Sequence, residues 1–459
     1  MNAKLRLNGN QHSELRRHLY PGDGLEAAAV ALCGRRSGQN GQILVVQRIV
    51  PIPYDECERR ADYLRWKTAR IEPLLIEAER RHLALVKFHS HPTGYEQFSR
   101  ADDAADAELF SSVHGWVDDN LPHASAVMLP DSRLFGRSID VQNRFSPLEC
   151  IAVAGDDIQF WFRDSNVRSC RDIDVRNIQA FGDGTFNLLR KLTVGVVGCS
   201  GTGSPMVDCL ARLGVGRIIL FDPQRVEYKN LNRILNAHAE HAALGEFKVH
   251  VLARAISRMG FGTEVICVPK NLASRDAAAL AAECDVLFGG TDGAEGRYLL
   301  NRIATFYSIP LFDCGVRLDA DGRGGIDQMT GTVNYIKPGG SSLLSRGVIS
   351  MAEVDAESLQ RTNPAEYEQR LREGYIHGVP VNRPAVAPVN MFYASLTLLE
   401  FLARVHRYRA DDNTQFASHG MSLVNADYVH GEDGEPCSKL LPYVGRGDTT
   451  PFLEMSSLS

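Results

Sequence analysis

Residues 192–222 read LTVGVVGCSGTGSPMVDCLARLGVGRIILFD, and this stretch decides the fold class. Two apolar runs of strand length enclose a glycine-rich loop and a segment with helical spacing of apolar residues. Further apolar runs follow at VICVP, CDVLFGG and IPLFDCGV, with helical stretches between them. Strands that alternate with helices predict an α/β fold with a parallel, doubly wound sheet.

The loop of this stretch carries Gly198, Gly201 and Gly203 just before the predicted helix. Small residues let the backbone approach a phosphate, and a helix N-terminus offers free N–H groups. Asp222 ends the second strand, the usual place for a carboxylate that binds a ribose hydroxyl. A turn that simply needs small residues is the plainer interpretation. Ser200 replaces the middle glycine of the dinucleotide fingerprint, which disfavours NAD.

Polar and charged side chains that suit a triphosphate follow the loop. Cations would hold the phosphates and a carboxylate would hold magnesium, whereas hydride transfer needs neither. The pattern therefore predicts phosphoanhydride chemistry with ATP and Mg²⁺, although each cation taken singly could be an ordinary surface charge. The side chains are Asn230, Asn232, Arg233, Lys248, Asp292 and Arg297.

A different pattern lies earlier, where the apolar run LALVKF leads into HSHPTGYEQFSRADD. His89 and His91 are two residues apart on an extended chain and therefore share a face. Ser99 opens a helical segment with Asp102 on its first turn. Two imidazoles and one carboxylate leave a fourth tetrahedral position for water, the arrangement of a catalytic Zn²⁺ site.

A general base for such a site must come from elsewhere, and Glu26 at the start of the upstream strand LEAAAVALCG is the candidate. Each feature also has a plainer interpretation. Ser99 and Asp102 form an ordinary helix capping pair, an isolated HxH is often structural, and Glu26 alone would be a solvated charge.

The combination of H-x-H-P with S-x-x-D resembles the JAMM motif of the JAB/MPN family of zinc metalloproteases, which includes ubiquitin-type isopeptidases. The resemblance covers about residues 15–140 and implies a mixed α/β zinc-hydrolase domain. It implies that His89, His91 and Asp102 are the zinc ligands and that Glu26 is the acid/base. Ser99 would stabilise the tetrahedral intermediate.

Residues 170–440 resemble the ThiF/MoeB and ubiquitin-activating adenylation family, whose domain is Rossmann-like. Such enzymes use ATP and Mg²⁺ to adenylate the C-terminal glycine of a ubiquitin-like protein. An arginine near the start of the family's domain reaches into the partner subunit's site, which implies a homodimer. By this resemblance, the phosphate loop is Gly198, Gly201 and Gly203; the ribose ligand is Asp222; the triphosphate contacts are Asn230, Arg233 and Lys248; the magnesium-linked aspartate is Asp292; and the arginine is Arg176.

The chain departs from this family's pattern at three places. The loop has Ser200 where the family has a glycine, a change between small residues. Gly293 stands where the family's Thr-Asp-Asn ends in asparagine, so one polar side chain is lost. Ser342 and Ser345 replace a CxxC pair, so no structural zinc is expected in this block.

A thioester cysteine is harder to assign, because residues 315–436 contain no cysteine. Cys314 lies in an apolar strand, where a small buried hydrophobe is the expected role. Cys437 lies in the polar segment GEDGEPCSKL, which we expect to be accessible, and it is the better candidate nucleophile.

These patterns divide the chain into a metalloprotease-like domain at 1–145, a connector at 146–185 that includes Arg176, and an adenylation domain at 186–459. A Gly-, Ser- and charge-rich excursion is expected at about 338–380. The net charge of −6 and the lack of a long apolar run argue against nucleic acid and membrane as partners. Ten cysteines without a CxxC pair indicate a cytoplasmic protein.

The hypothesis is a bifunctional enzyme that activates the C-terminal glycine of a ubiquitin-like protein and cleaves its precursor or conjugates. A conjugating enzyme would be a further partner. The fusion resembles bacterial ubiquitin-like conjugation systems, some of which act in antiphage defence. The alternatives are activation of a sulfur-carrier protein for cofactor or sulfur-metabolite synthesis, a non-catalytic scaffold that binds a ubiquitin-like tail, and NAD-dependent redox chemistry.

Overall fold

The computed structural model describes residues 3–38, 41–164, 170–373, 375–376 and 384–458. The chain divides into two units. Unit 1 comprises Met1–Asn166 with Thr305–Ser308 and Tyr443–Leu453, and unit 2 comprises Val167–Ala304, Ile309–Pro442 and Glu454–Ser459. Within the described ranges, no helix is both long and apolar enough to cross a membrane.

Unit 1 is built on a nine-stranded mixed sheet. Its strands are β1 (Ala3–Asn8), β2 (Ala28–Gly38), β3 (Gly41–Pro51), β6 (Ala84–Ser90), β7 (His123–Met128), β8 (Leu134–Ile139), β9 (Phe145–Pro147), β10 (Cys150–Ala154) and β11 (Ile158–Phe162). The hairpin β4 (Cys57–Arg60) and β5 (Tyr63–Trp66) stands apart, and the helices are α1 (Gly9–Leu19), α2 (Glu72–Arg81) and α3 (Arg100–Val117). The order is β11-β10-β1-β3-β2-β6-β7-β8-β9, with β10-β1, β1-β3 and β6-β7 parallel.

The period-two alternation of β6 decides which side chains face which helix. Val86 and Phe88 join the apolar cluster that contains Leu15 and Leu19 of α1. Leu85 joins the opposite cluster, which contains Phe110 of α3 and residues of α2. Lys87 and His89 have the parity of Leu85, so both project toward α3.

This parity matches the spacing of α3. Two strand residues span about 6.7 Å, and four helical residues rise about 6.0 Å. Lys87 Nζ donates to Asp106 Oδ1 at 2.5 Å, and His89 Nε2 lies 3.0 Å from Asp102 Oδ1. Two contacts with matching spacing therefore hold α3 against β6. The contact between His89 and Asp102 is part of the candidate metal site.

Arg137 of β8 completes the contact at Asp106. Its Nε and Nη2 donate to Asp106 Oδ2 at 3.1 and 2.8 Å, and its guanidinium lies 3.8 Å from the ring centroid of Phe98. Asp106 has no exposed surface. Burial alone would raise the pKa of this carboxyl, but Lys87 and Arg137 outweigh it and hold the pKa below its usual range.

Unit 2 is built on an eight-stranded sheet. Its strands are β12 (Thr193–Val197), β13 (Arg217–Phe221), β14 (Glu264–Val268), β15 (Val286–Gly289), β16 (Leu311–Ala320), β17 (Ile326–Ile336), β18 (Ser418–Ser422) and β19 (Asp427–Gly431). The helices are α4 (Val175–Lys191), α5 (Gly203–Arg212), α6 (Ala239–Ala243), α7 (Lys248–Met259), α8 (Arg275–Ala281), α9 (Ala294–Phe306), α10 (Met351–Thr362), α11 (Pro364–Arg372) and α12 (Ala387–His406).

The strand order of this sheet is β14-β13-β12-β15-β16-β17-β18-β19. The first five strands are parallel, and the last three extend the sheet antiparallel. The Rossmann-like α/β prediction is confirmed for the parallel part. The order reverses beside β12, and such a switch point is where parallel sheets bind ligands.

The structure differs from the sequence interpretation in two segments. The strands β10 and β11 lie in the range assigned to the connector, yet they belong to the sheet of unit 1. Ile151 and Val153 join the apolar cluster around Leu5 and Leu7, so burial draws this segment into the sheet. The predicted excursion includes the helices α10 and α11. Residues 165–169 of the connector, and 374 and 377–380 of the excursion, lie outside the described residues.

Asp106→Ala should lower the free energy of unfolding of unit 1 by about 3–5 kcal/mol, because it removes the carboxylate partner of the buried Lys87 and the buried one of the two carboxylates that Arg137 contacts. All three tryptophans, Trp66, Trp116 and Trp161, lie in unit 1. Tryptophan fluorescence during urea unfolding therefore follows this unit.

The matched control is Asp103→Ala. Asp103 also pairs with Arg137, but half of its side chain is exposed, so its loss should cost about 0–1 kcal/mol. Equal destabilisation by the two variants would contradict the role assigned to Asp106.

Candidate functional site

The candidate metal site of unit 1 is formed by three side chains whose ligand atoms converge. His89 Nε2 lies 3.1 Å from His91 Nε2 and 3.0 Å from Asp102 Oδ1, and His91 Nε2 lies 3.5 Å from Asp102 Oδ2. Ligands held about 2.0–2.2 Å from one tetrahedral zinc ion are about 3.3–3.6 Å apart. The spacing is close to what such an ion needs, and the structure brings together the three predicted ligands.

The outer contacts of the imidazoles also suit a metal. His91 Nδ1 lies 2.7 Å from the Tyr95 carbonyl oxygen, so in the neutral imidazole Nδ1–H would donate and Nε2 would offer its lone pair to an ion. His89 is fully buried, and its Nδ1 has no hydrogen-bond partner among the described residues. Burial lowers the pKa of His89, which favours the neutral imidazole that a metal requires.

Ser99 and Asp102 form a helix capping pair, and Asp102 also belongs to the candidate metal site. Ser99 is the N-cap of α3, and its Oγ accepts from the Asp102 amide at 3.1 Å. Asp102 Oδ2 in turn accepts from the Ser99 amide and from Ser99 Oγ, both at 2.7 Å. The capping box thus orients Asp102 so that Oδ1 faces His89. Burial would raise the pKa of Asp102, but its hydrogen bonds with His89, His91 and Ser99 lower it.

Glu26 lies just before β2, two residues ahead of Ala28, which pairs with His89. Its amide donates to the Arg60 carbonyl at 2.8 Å, and Arg59 Nε donates to the Glu26 carbonyl at 2.7 Å. The side chain is buried, and burial raises the pKa of Glu26 to about 7. The charge of His91 lowers this pKa, and the charges of Asp102 and Asp62 raise it.

The candidate nucleotide site of unit 2 lies at the end of β12. Gly198 has φ +88°, which disfavours any side chain, and a Cβ on Gly203 would lie 1.7 Å from the Gly198 carbonyl oxygen. Gly201 lies against Asn390 of α12. The loop runs directly into α5, at whose start Pro205 has no N–H and the Ser204 amide donates to the Ser200 carbonyl at 2.9 Å.

Asp222 links the loop to the end of β13. Its Oδ2 accepts from the Cys199 amide and its Oδ1 from the Gln224 amide, both at 2.8 Å. Gln224 also accepts from Lys248 Nζ at 2.6 Å through its side-chain oxygen. Gln224 thus connects Asp222, the candidate ribose ligand, with Lys248, the candidate phosphate ligand. Its position two residues after Asp222 is the only signal in the sequence for this role.

Asn230 and Arg233 lie in the segment that follows. Asn230 is buried, and its Oδ1 accepts from the Glu227 amide at 3.2 Å. Arg233 is half-buried and donates to the Lys229 carbonyl at 2.9 Å and to Asn232 Oδ1 at 3.0 Å. Both side chains have local partners that hold them in place.

Asp292 is exposed on the turn between β15 and α9. Arg297, one turn further, is not a free phosphate contact, because its Nε lies 3.1 Å from Oδ1 of the buried Asp313. Arg176 is exposed on α4, where its Nη1 donates to Gln179 at 2.9 Å. Its role in a second subunit stays a prediction.

The two cysteines differ from each other. Cys314 is buried as expected, and burial raises its pKa to about 12. The expected accessibility of Cys437 is wrong: the residue is 4% exposed, and its amide donates to the Gly340 carbonyl at 3.0 Å. Burial would raise the pKa of Cys437, but hydrogen bonds from Ser342 and the backbone of Leu440 outweigh it and lower it.

Comparison with known proteins gives two family matches. Residues 10–155 match the family described as prokaryotic homologs of the JAB domain, and residues 174–435 match the ThiF family.

Curated relatives are similar over part of their length. The "Adenylyltransferase and sulfurtransferase MOCS3" of Danio rerio is 37% identical over 125 residues, covering 27% of this chain and 26% of that protein. The "Ubiquitin-like modifier-activating enzyme 5" of Drosophila willistoni is 25% identical over 190 residues, covering 38% and 44%. The chain thus spans less than half the length of these relatives.

Among solved structures, E. coli MccB with ATP is similar at 17% sequence identity and a TM-score of 0.45, covering 59% of this chain and 74% of that one. The fold of unit 1 carries the JAB-type region, and the switch-point loop of unit 2 lies within the ThiF match. The ThiF family match at residues 174–435 covers more than half of this chain, and the chain therefore belongs to the ThiF family.

Proposed function

We propose that the chain is a bifunctional enzyme of ubiquitin-like protein metabolism. Unit 2 would use ATP to adenylate the C-terminal glycine of a ubiquitin-like protein, and unit 1 would cleave that protein's precursor or conjugates. The convergence of His89, His91 and Asp102 on one point is the observation that most supports the hydrolytic activity. The glycine loop at the switch point, within a ThiF-family chain, supports the adenylation.

In unit 1, His89, His91 and Asp102 would hold Zn²⁺, which when bound supplies a water acidic enough to act as a nucleophile near neutral pH. Glu26 is suited to take up that proton and deliver it to the leaving amine, because its pKa of about 7 allows both states. Ser99 fixes Asp102 through the capping box. We further propose that the Ser99 hydroxyl steadies the tetrahedral intermediate of the substrate.

In unit 2, the terminal carboxylate of the carrier would attack the α-phosphorus of ATP, and pyrophosphate would leave. The backbone amides of the 200–203 part of the loop would face the negative charge that develops on the phosphates. Lys248 and Arg233 would neutralise the departing phosphates, with Asn230 as a further contact. Asp222 would bind the ribose, and Asp292 would hold Mg²⁺. Arg176 would act in the site of the partner subunit of a homodimer.

Activation of a sulfur carrier is the second candidate. It shares every step up to the adenylate, and the printed name of the Danio rerio relative includes a sulfurtransferase. The buried state of Cys437 supports this candidate, because a buried thiol is poorly placed to receive the adenylated carrier.

His89→Ala should reduce the zinc content from about one ion per chain to near zero, because it removes one of three ligands. Glu26→Gln is the matched control: it should keep the ion and still slow cleavage of a C-terminally extended carrier about 10²–10⁴-fold. Metal analysis and mass spectrometry of the carrier provide the two measurements. Full zinc content in the His89 variant would rule out this ligand set.

Asp292→Ala should abolish carrier-dependent exchange of pyrophosphate into ATP, because magnesium would lose its protein carboxylate. Cleavage of the extended carrier by unit 1 should continue at the original rate in the same preparation. If exchange persists, Asp292 does not hold the metal.

If a carrier thioester forms, the DTT-sensitive adduct should disappear in Cys437→Ala and survive in Cys314→Ala. The reason is the lowered pKa of Cys437 against a pKa of about 12 for Cys314. Denaturing gels with and without DTT measure the adduct. Robust exchange without any adduct would favour the sulfur-carrier candidate, and an adduct that survives loss of Cys437 would refute the assignment.

A further inference from the structure

The turn that carries Asp292 is held by a helix from the excursion. Glu357 of α10 accepts a hydrogen bond from the Glu295 amide at 2.8 Å through Oε2. Glu295 lies in the first turn of α9, three residues after Asp292. A carboxylate in this position satisfies a helical N–H group and complements the positive end of the helix dipole.

A second contact reinforces the first one turn further along α10. Arg361 Nε and Nη2 donate to the Glu295 carboxylate at 2.9 and 2.7 Å. Glu357 therefore hydrogen-bonds to the main chain of Glu295, and Arg361 hydrogen-bonds to the side chain of Glu295. The start of α9 is fixed at two points by one helix.

Glu357 also accounts for the departure at Gly293. A Cβ on Gly293 would lie 2.8 Å from Glu357 Oε2, closer than real Cβ contacts come. The backbone of Gly293 is not in the left-handed region, so a side chain there would conflict only with the Glu357 carboxylate, which would have to move aside. The Glu357 carboxylate thus occupies the space that a side chain at 293 would need.

We infer that Glu357 is a positioning residue of the adenylation site, which sets the Asp292 turn through the α9 N-terminus. The α10 segment of the excursion is then a working part of the site rather than a dispensable insertion. This inference rests on the proposed role of Asp292 in holding magnesium.

The test measures binding of a fluorescent ATP analogue to the full chain over a range of Mg²⁺ concentrations, together with pyrophosphate exchange. Glu357→Ala should raise the Mg²⁺ concentration needed for half-maximal binding about five- to tenfold. Glu357→Gln should behave as the original protein, because its amide oxygen still accepts from the Glu295 amide. Asp355→Ala, which removes an exposed carboxylate elsewhere on α10, is the control for general changes in this helix and should have less than a twofold effect.

Gly293→Asn gives an independent arm. Its side chain should displace Glu357 and so reproduce the Glu357→Ala defect, and the double variant should be no worse than either single one. Additive defects, or a Glu357→Ala protein that binds as the original does, would overturn the inference. A Gln variant as defective as the Ala variant would also overturn it, since it would mean that the charge itself is required. An original protein that binds no ATP at all would instead defeat the proposed function.

Discussion

Asp106 is a carboxylate with no exposed surface, so positive charges must lie beside it inside the protein. This requirement determines how α3 packs on the sheet of unit 1. The two charged partners of Asp106 come from β6 and β8, so helix and sheet can meet in only one register. That register brings His89 opposite Asp102. The candidate metal site of unit 1 therefore lies one helical turn from this charge pairing, and the capping box of α3 then orients Asp102 toward His89.

Local patterns were sufficient to predict the fold class and the three side chains that converge in unit 1. The HxH pair, the capping pair and the glycine loop each act within a few residues, so their geometry follows from helix and strand periodicity. Arg137, Gln224 and Glu357 escaped prediction for one reason. Arg137 and Glu357 meet partners 31 and 62 residues away in the chain, and Gln224 meets Lys248 24 residues away. Nothing in the flanking sequence of these residues reports such contacts.

The environment of Cys437 shows the opposite failure, in which a local pattern misleads. Acidic residues and glycines before it suggested an exposed tail, yet the backbone of this segment bonds to Gly340 and the thiol meets Ser342. The hydroxyls of Ser342 and Ser345 both meet this thiol. In the same way, the glycine at position 293 is explained by α10, because Glu357 of that helix lies against it.

The capping box of α3 has a thermodynamic consequence. Asp102 belongs at once to the first turn of the helix and to the ligand set, so an ion bound there would favour the folded turn, and a folded turn would favour the ion. Such linkage is reciprocal, and it requires no contact between the ion and the backbone amides at the start of α3. Metal loading should therefore slow solvent hydrogen exchange at the start of α3, and a chain stripped of its ion would fray first at that end.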